Sequence, residues 1–236
     1  MVIDVITIFP KMFAPVIEES IIKRAQNKGL VKINIHDLRD HSLDKKHKKI
    51  DDVSYGGGGM LFKPEPLFAA VESILGYRAY PEKKVDKAKR IILLGPRGKT
   101  LDQKTIGRFL NYERLVLISA RYEGADERVG KYLAEEEISI GDYILSGGEL
   151  AAMVLIDSLA RLIPGVVSDR ESVKNESFEN NLLDFPHWTR PENFRGLKVP
   201  RILLSGDHAK IKEWRKKKAW EATKKYRPDL LNADDR

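Results

Sequence analysis

The chain has 236 residues, 42% of them hydrophobic, no cysteine, and a formal net charge of +7. That is enough chain for one large domain or two small ones with a real core. The lack of cysteine excludes disulfides, thiolate catalysis and zinc–thiolate sites, and it fits a reducing, cytoplasmic setting. The alternating apolar start interrupted by Asp4 is unlike a secretory signal, and no apolar run reaches the length of a membrane span.

The first stretch, "VIDVITIF" (Val2–Phe9), reads as a β-strand ended by Pro10. "MFAPVIEESIIKRAQNKG" predicts one helix stopped by Gly29, and "VKINIHD" (Val31–Asp37) alternates as a strand. A basic loop follows, "RDHSLDKKHKK" (Arg39–Lys49), with five Lys/Arg against two acids and with His41 and His47. The glycine run "YGGGGM" (Tyr55–Met60) suits a mobile lid or close backbone approach, with a plain flexible turn as the alternative. "KPEPLFAAVESILG" predicts a helix and "IILLG" (Ile91–Gly95) a buried strand. "GPRGKT" (Gly95–Thr100) has two residues between its glycines where a triphosphate-binding loop needs four, so it reads as a strand-to-helix turn. "LDQKTIGRFLN" predicts a helix, "RLVLISA" a strand, "ADERVGKYLAEE" a short helix and "EISIG" a strand. A helix from Glu149 to Ile163 closes the series.

Such alternation predicts a mostly parallel sheet with helices on both faces. Ligands in these sheets bind where loops leave the carboxyl ends of strands. The loops expected there are "GPRGKT", "ARYEGADER" and "GDYILSGGE", and in the second Asp126 stands where a helix cap would. Beyond Pro164-Gly165 the chain turns polar, then rich in aromatics and prolines, and ends in a basic helix from about His208 to Tyr226. From Arg201 to Arg227 ten Lys/Arg face three Asp/Glu. A solvated surface would explain either basic segment alone; the two together favour a polyanionic partner. The expected division is a cofactor-binding catalytic domain at 1–163, a flexible linker at 164–181, and a helical basic domain at 182–236.

Read together, "TIFP", "YGGGGM", "LDQK", "RYEGADERV", "SIGDYILSGGEL", "LIPGVV", "ESF", "LLDFPHWTRP" and "LLSGDHAKIKEWR" resemble the bacterial TrmD family of tRNA (guanine-N1)-methyltransferases, nearly end to end. The resemblance implies a SPOUT-type α/β fold: a parallel-sheet domain holding a trefoil knot, plus a small helical C-terminal domain. It implies a homodimer that binds S-adenosylmethionine in the knot and methylates N1 of guanosine 37 of tRNA, with Mg²⁺ suggested as an aid. No ligand cluster in the sequence fixes a metal site.

By the same resemblance the cofactor pocket comprises Leu94, Pro96, Ala120, Tyr122, Glu123, Gly124, Ile140, Gly141, Tyr143, Leu145, Gly147 and Gly148. Glu176 is the implied general base and Arg161 the cation facing guanine O6, because N1 is a poor nucleophile until its proton leaves. Asp184 is the second candidate base, with substrate positioning its favoured role, and His187 and Arg190 are implied RNA contacts; independently, the Lys/Arg density beside Trp214 and Trp220 makes Arg215, Lys216, Lys217 and Lys218 expected phosphate contacts. The chain departs from the family pattern in several places. Glu176 stands for Asp, Ala120 for Gly, Ala151 for Pro and Trp188 for Tyr, and the glycine loop is one residue shorter. The competing reading is a catalytically silent RNA-binding protein on the same scaffold.

Overall fold

The computed structural model describes residues 1–80, 86–167 and 176–231. It falls into two compact units, Met1–Ser168 and Asp169–Arg236.

The first unit is built on five parallel strands: β1 (Val2–Thr7), β2 (Lys32–Asp37), β5 (Lys89–Thr100), β6 (Arg114–Ser119) and β7 (Glu136–Ser139). Their order across the sheet is β2-β1-β6-β5-β7. The inner strands β1 and β6 and the first half of β5 are largely apolar runs because both of their faces are covered. One face (Ile3, Val5, Ile92, Leu115, Leu117) packs on α2 (Ser20–Asn27), α4 (Gln103–Phe109) and α5 (Glu149–Leu162). The other (Ile6, Leu93, Val116, Ile118) packs on α3 (Pro64–Leu75) and a single π-type turn at Val129–Leu133. A small antiparallel hairpin, β3 (Asp51–Val53) and β4 (Met60–Phe62), carries the glycine run at its tip.

Several expectations need correction. The helix expected after Pro10 is broken into a short 3₁₀ turn, α1 (Ala14–Ile17) and α2. At the break Glu19 is extended and Ser20 takes φ +52, so the ladder cannot continue through "EES". "GPRGKT" is not a strand-to-helix turn. It stays within β5, which pairs with β7 at Leu94, bulges, and pairs with it again at Lys99. The helix after it begins only at Gln103, where the Asp102 carboxylate accepts from the Thr105 amide. The short helix expected at "ADERVGKYLAEE" is present over residues 127–133, with its last five residues π-type.

In the second unit the basic helix spans His208–Tyr226 (α6), as its pattern predicts, with Asp207 capping it through the Lys210 amide. A two-residue hairpin, β8 (Asn193–Phe194) and β9 (Leu197–Lys198), precedes it. Of the expected linker, residues 168–175 lie outside the described residues. Residues 176–181 form a tight turn in which Phe178, Asn180 and Asn181 all take positive φ. The Phe178 amide donates to the Leu182 carbonyl, and the Asp184 amide to the Ser177 hydroxyl.

Charge networks stitch the amino end of the sheet. Glu136, the first residue of β7, accepts from Arg90 Nε at 2.7 Å and from Arg108 Nη2 at 2.6 Å. Burial alone would raise its pKa; the two arginine bonds outweigh burial and hold the carboxyl below its ordinary value. A carboxylate so held contributes fully above its unfolded pKa of roughly 4.3 and loses that contribution as pH falls through the lower folded value. Glu136→Gln is therefore expected to cost about 1–2 kcal/mol at neutral pH, the low end because Arg108 is partly exposed. It should also flatten the acid limb of the stability curve below about pH 4.5. Urea unfolding at stepped pH checks both; parallel curves for the two chains would refute the assignment.

Candidate active site

The carboxyl ends of β6 and β7 flank the bulge of β5, and each of these three neighbouring places carries a glycine-bearing segment. In the first, Leu94 is buried, Pro96 is exposed, and Gly95 and Gly98 press against Glu137 of β7. A Cβ at Gly98 would lie 2.4 Å from the Glu137 carbonyl carbon, so this glycine lets two backbones meet.

In the second segment Ala120 is buried and Tyr122 takes φ +59, which turns its ring outward, edge-on to Phe62 at 6.0 Å. Strand β4 docks along this segment: the Glu123 amide donates to Met60, the Phe62 amide to Gly124, and the Asp126 amide to Phe62. A Cβ at Gly59 would sit 2.9 Å from Glu123 Cγ. The glycine run is therefore the tip of a docked hairpin, with its last glycine set against the Glu123 side chain. The Asp126 carboxylate accepts from the Arg128 amide and guanidinium, and these bonds hold its pKa below the ordinary value.

The third segment leaves β7 at Ser139, whose hydroxyl bonds both the amide and the carbonyl of Gly141. Gly141 takes φ +147, and a Cβ there would lie 2.5 Å from the Tyr143 ring. The Tyr143 hydroxyl donates to the Ile140 carbonyl at 3.1 Å. Tyr143 and Ile144 stand open to solvent, and Ile140 and Leu145 are half-buried. The segment returns to the sheet at Gly148, whose amide donates to the Ala120 carbonyl at 2.9 Å.

One ion pair holds this return. Glu149, 1% exposed, accepts from Thr7 Oγ1 at 2.9 Å and from Arg121 Nε at 3.1 Å. The Arg121 guanidinium also lies 4.3 Å from the centre of the Phe9 ring. A Cβ at Gly147 would meet Arg121 Cγ and Glu149 Oε2, each at 2.5 Å. A Cβ at Gly148 would meet Ser119 Cα at 2.8 Å. The Ser119 hydroxyl itself is buried at this strand end and has no hydrogen-bond partner among the described residues.

The cofactor residues expected from sequence thus lie in the bulge of β5 and in the segments after its two sheet neighbours, β6 and β7. Arg161 sits in the last turn of α5. In the second unit Glu176 is half-buried, Asp184 and His187 are hydrogen-bonded at 2.8 Å, and Arg190 is exposed. Arg215 lies over the Phe185 ring at 4.7 Å, Lys216 and Lys217 are exposed, and Lys218 is paired with Glu221 at 2.6 Å. Sequence reasoning missed Glu149, its pairing with Arg121, and Ser119. For Glu149 a signal existed: it falls in register with Ala152, Met153, Ile156 and Ala160, the buried stripe of α5, so its carboxylate has to be buried and partnered.

Comparison with known proteins gives this geometry a family. The family model described as tRNA (Guanine-1)-methyltransferase TrmD matches residues 1–233. The chain belongs to the TrmD family. A TrmD relative from Dehalococcoides mccartyi strain 195, named tRNA (guanine-N(1)-)-methyltransferase, is 52% identical over 98% of this chain and 90% of its own. Relatives of the same name from Endomicrobium trichonymphae (52% identical, 98% of this chain, 99% of that one) and Geobacillus kaustophilus (50%, 98% and 91%) match as fully.

The glycines of this chain can be sorted by substitution. Gly147→Ala must force Arg121 and Glu149 apart, and about 1–3 kcal/mol of stability should be lost. Gly107→Ala in α4 meets nothing within 4 Å and should gain about 0.5–1 kcal/mol. Thermal melts of both decide it; equal melting points would refute the packing argument.

Proposed function

We propose that this chain transfers a methyl group from S-adenosylmethionine to N1 of guanosine 37 in tRNA. The observation that carries the reading is family membership over residues 1–233, joined to glycine-shaped segments in the β5 bulge and after its neighbours β6 and β7. A nucleoside fits such a place, because backbone amides and carbonyls can read an adenine edge where side chains are absent. The buried Ser119 hydroxyl, without a hydrogen-bond partner among the described residues, is a further polar group at the end of β6. Glu123 suits the methionine end, where a carboxylate favours positive charge.

When bound, the donor supplies a methyl group carried on a positively charged sulfur. The chain's own residues prepare the acceptor. Glu176 takes the N1 proton, and Arg161 holds the negative charge that then develops on O6. Glu in place of the usual Asp keeps the carboxylate on a longer arm. Among the described residues no group of three or more His, Asp or Glu side chains could hold a metal ion.

The remaining expectations enter as proposals in the same reading. A trefoil knot is supported by the path of the chain, which runs out to β7 at the sheet edge and back past Ala120 into α5. A homodimer is supported by Leu150 and Val154, one turn apart and about half-exposed on α5, with Ile144 82% exposed nearby in sequence. The second unit is proposed as the tRNA-binding domain, on its Lys/Arg excess. No helix among the described residues is long and apolar enough to cross a membrane, and we propose that the chain acts in the cytoplasm.

Transfer of labelled methyl to tRNA bearing guanosine 37, and none to tRNA bearing adenosine 37, is the expected outcome. Equal labelling would overturn the position, and no labelling of either would favour the silent RNA-binding alternative. Gly141→Val should abolish donor binding by calorimetry, since its branched side chain would meet the Tyr143 ring and adopt a φ that L-residues avoid. Native donor affinity in that variant would reject this pocket.

A further inference from the structure

Arg97 stands between Pro96 and Gly98 in the β5 bulge, and its guanidinium faces two carboxylates. Nη1 donates to Glu127 Oε2 at 2.9 Å, and Nη2 lies 3.8 Å from Glu137 Oε2. Glu137 belongs to β7. Glu127 opens the short helix at residues 127–133, which follows the segment after β6. One side chain on the bulge thus reaches toward both of its sheet neighbours.

The two links differ in kind. Toward β7 the bulge is set by contact. Gly98 lies against the Glu137 backbone, and a Cβ at Gly95 would come 2.4 Å from Glu137 Oε1. Toward the segment after β6 the link is the bond from Arg97 to Glu127. That bond is open to water, with Arg97 63% and Glu127 71% exposed, so it contributes little to stability. Its loss would still have a local consequence. Both carboxylates lie within 4 Å of one guanidinium, and together they hold it above its ordinary pKa, the Glu127 bond most of all. Without the guanidinium they would face each other unanswered, and like charges that close repel. The bulge and the helix behind the second segment would then move apart. Leu94 and Pro96 ride on the bulge, and Tyr122, Glu123 and Gly124 precede Glu127 by a few residues. The bond therefore spans two of the three segments expected to face the methyl donor.

We infer that Arg97 is a positioning residue for the donor: by pairing with Glu127 it fixes the β5 bulge relative to the segment after β6, and so sets the width of the pocket before the donor binds. The inference rests on the donor reading above. A pocket held at its bound width spares the ligand the cost of ordering it.

The test uses the full chain and reads two quantities, S-adenosylmethionine affinity by calorimetry and melting temperature. Arg97→Met and Glu127→Ala should each bind donor about three- to fivefold more weakly. Each should melt within about 2 °C of the native chain, because an exposed pair adds little to stability. The double variant should lose no more than either single one, since both remove the same interaction. Arg97→Lys keeps the charge and should retain most of the affinity. Native donor affinity in Arg97→Met would overturn the inference. So would weak binding in Arg97→Met beside native binding in Glu127→Ala, which would mean that Arg97 meets the donor directly. A loss of affinity that only follows a melting point lowered by many degrees would reduce the pair to a structural role and overturn it too. The two levels stay separable. A native chain that binds no donor sinks the donor reading and this inference with it, whereas a native chain that binds donor, with variants that bind it equally well, sinks the inference alone.

Discussion

A carboxylate that is 1% exposed at the start of a helix constrains everything built around it. Removing Glu149 from water costs several kcal/mol unless its charge is answered. Arg121 answers the charge, the Thr7 hydroxyl takes the other oxygen, and the start of a helix is electrostatically favourable for an anion. Those partners come from the end of β1, the segment after β6 and the start of α5. The pair therefore fixes in one place three pieces of chain that the sequence spreads over 142 residues. It is also unforgiving. Breaking one side would leave a buried charge unanswered, which is worse than never having had the pair.

Gly147 and Gly148 follow from that constraint. Both were read from sequence as bare backbone for a ligand, yet a Cβ at either would first strike the protein itself. Gly141 repeats the point against the Tyr143 ring. The segment between Ser139 and Gly148 is thus pinned at both ends and shaped by its own contacts, leaving Tyr143 and Ile144 outward. A preformed loop of this kind lowers the ordering cost that a ligand would otherwise bear. The glycines serve a pocket indirectly, by letting the backbone hold a shape before anything binds.

The large elements were legible because their signals are local. Apolar runs marked the parallel strands, and α6 showed its ends through Asp207 and its own composition. What was missed depends on partners distant in sequence. The strands of the β3–β4 hairpin are three residues each, too short for periodicity, and the hairpin is held by bonds to residues 123–126. The continuation of β5 through Gly95 and Gly98 depends on contact with Glu137, some forty residues on. Asp4 served only as an argument against a signal peptide, whereas it lies buried and answered by Asn34, His36 and Arg114. Of the site, the three loops and their glycines could be read directly. The roles of Glu176 and Arg161 came from the resemblance alone, since their spacing carries no chemistry by itself.

These observations divide the sheet into two ends with different duties. Its amino half carries ion networks, Asp4 with Arg114, the first residue of β6, and Glu136, the first residue of β7, with Arg90 and Arg108. Its carboxyl end carries the strained and glycine-dependent backbone: Tyr122 at φ +59, Gly124 at φ +108 and Gly141 at φ +147. Strained conformations cost stability wherever they occur and persist only when their surroundings over-determine them. Placing the charge networks at one end and the strain at the other lets substitutions at the loops change what is bound without loosening the sheet beneath them. The Arg121–Glu149 pair is the exception, a buried charge network set among the strained loops, and for that reason it is the point where stability and binding cannot be varied separately.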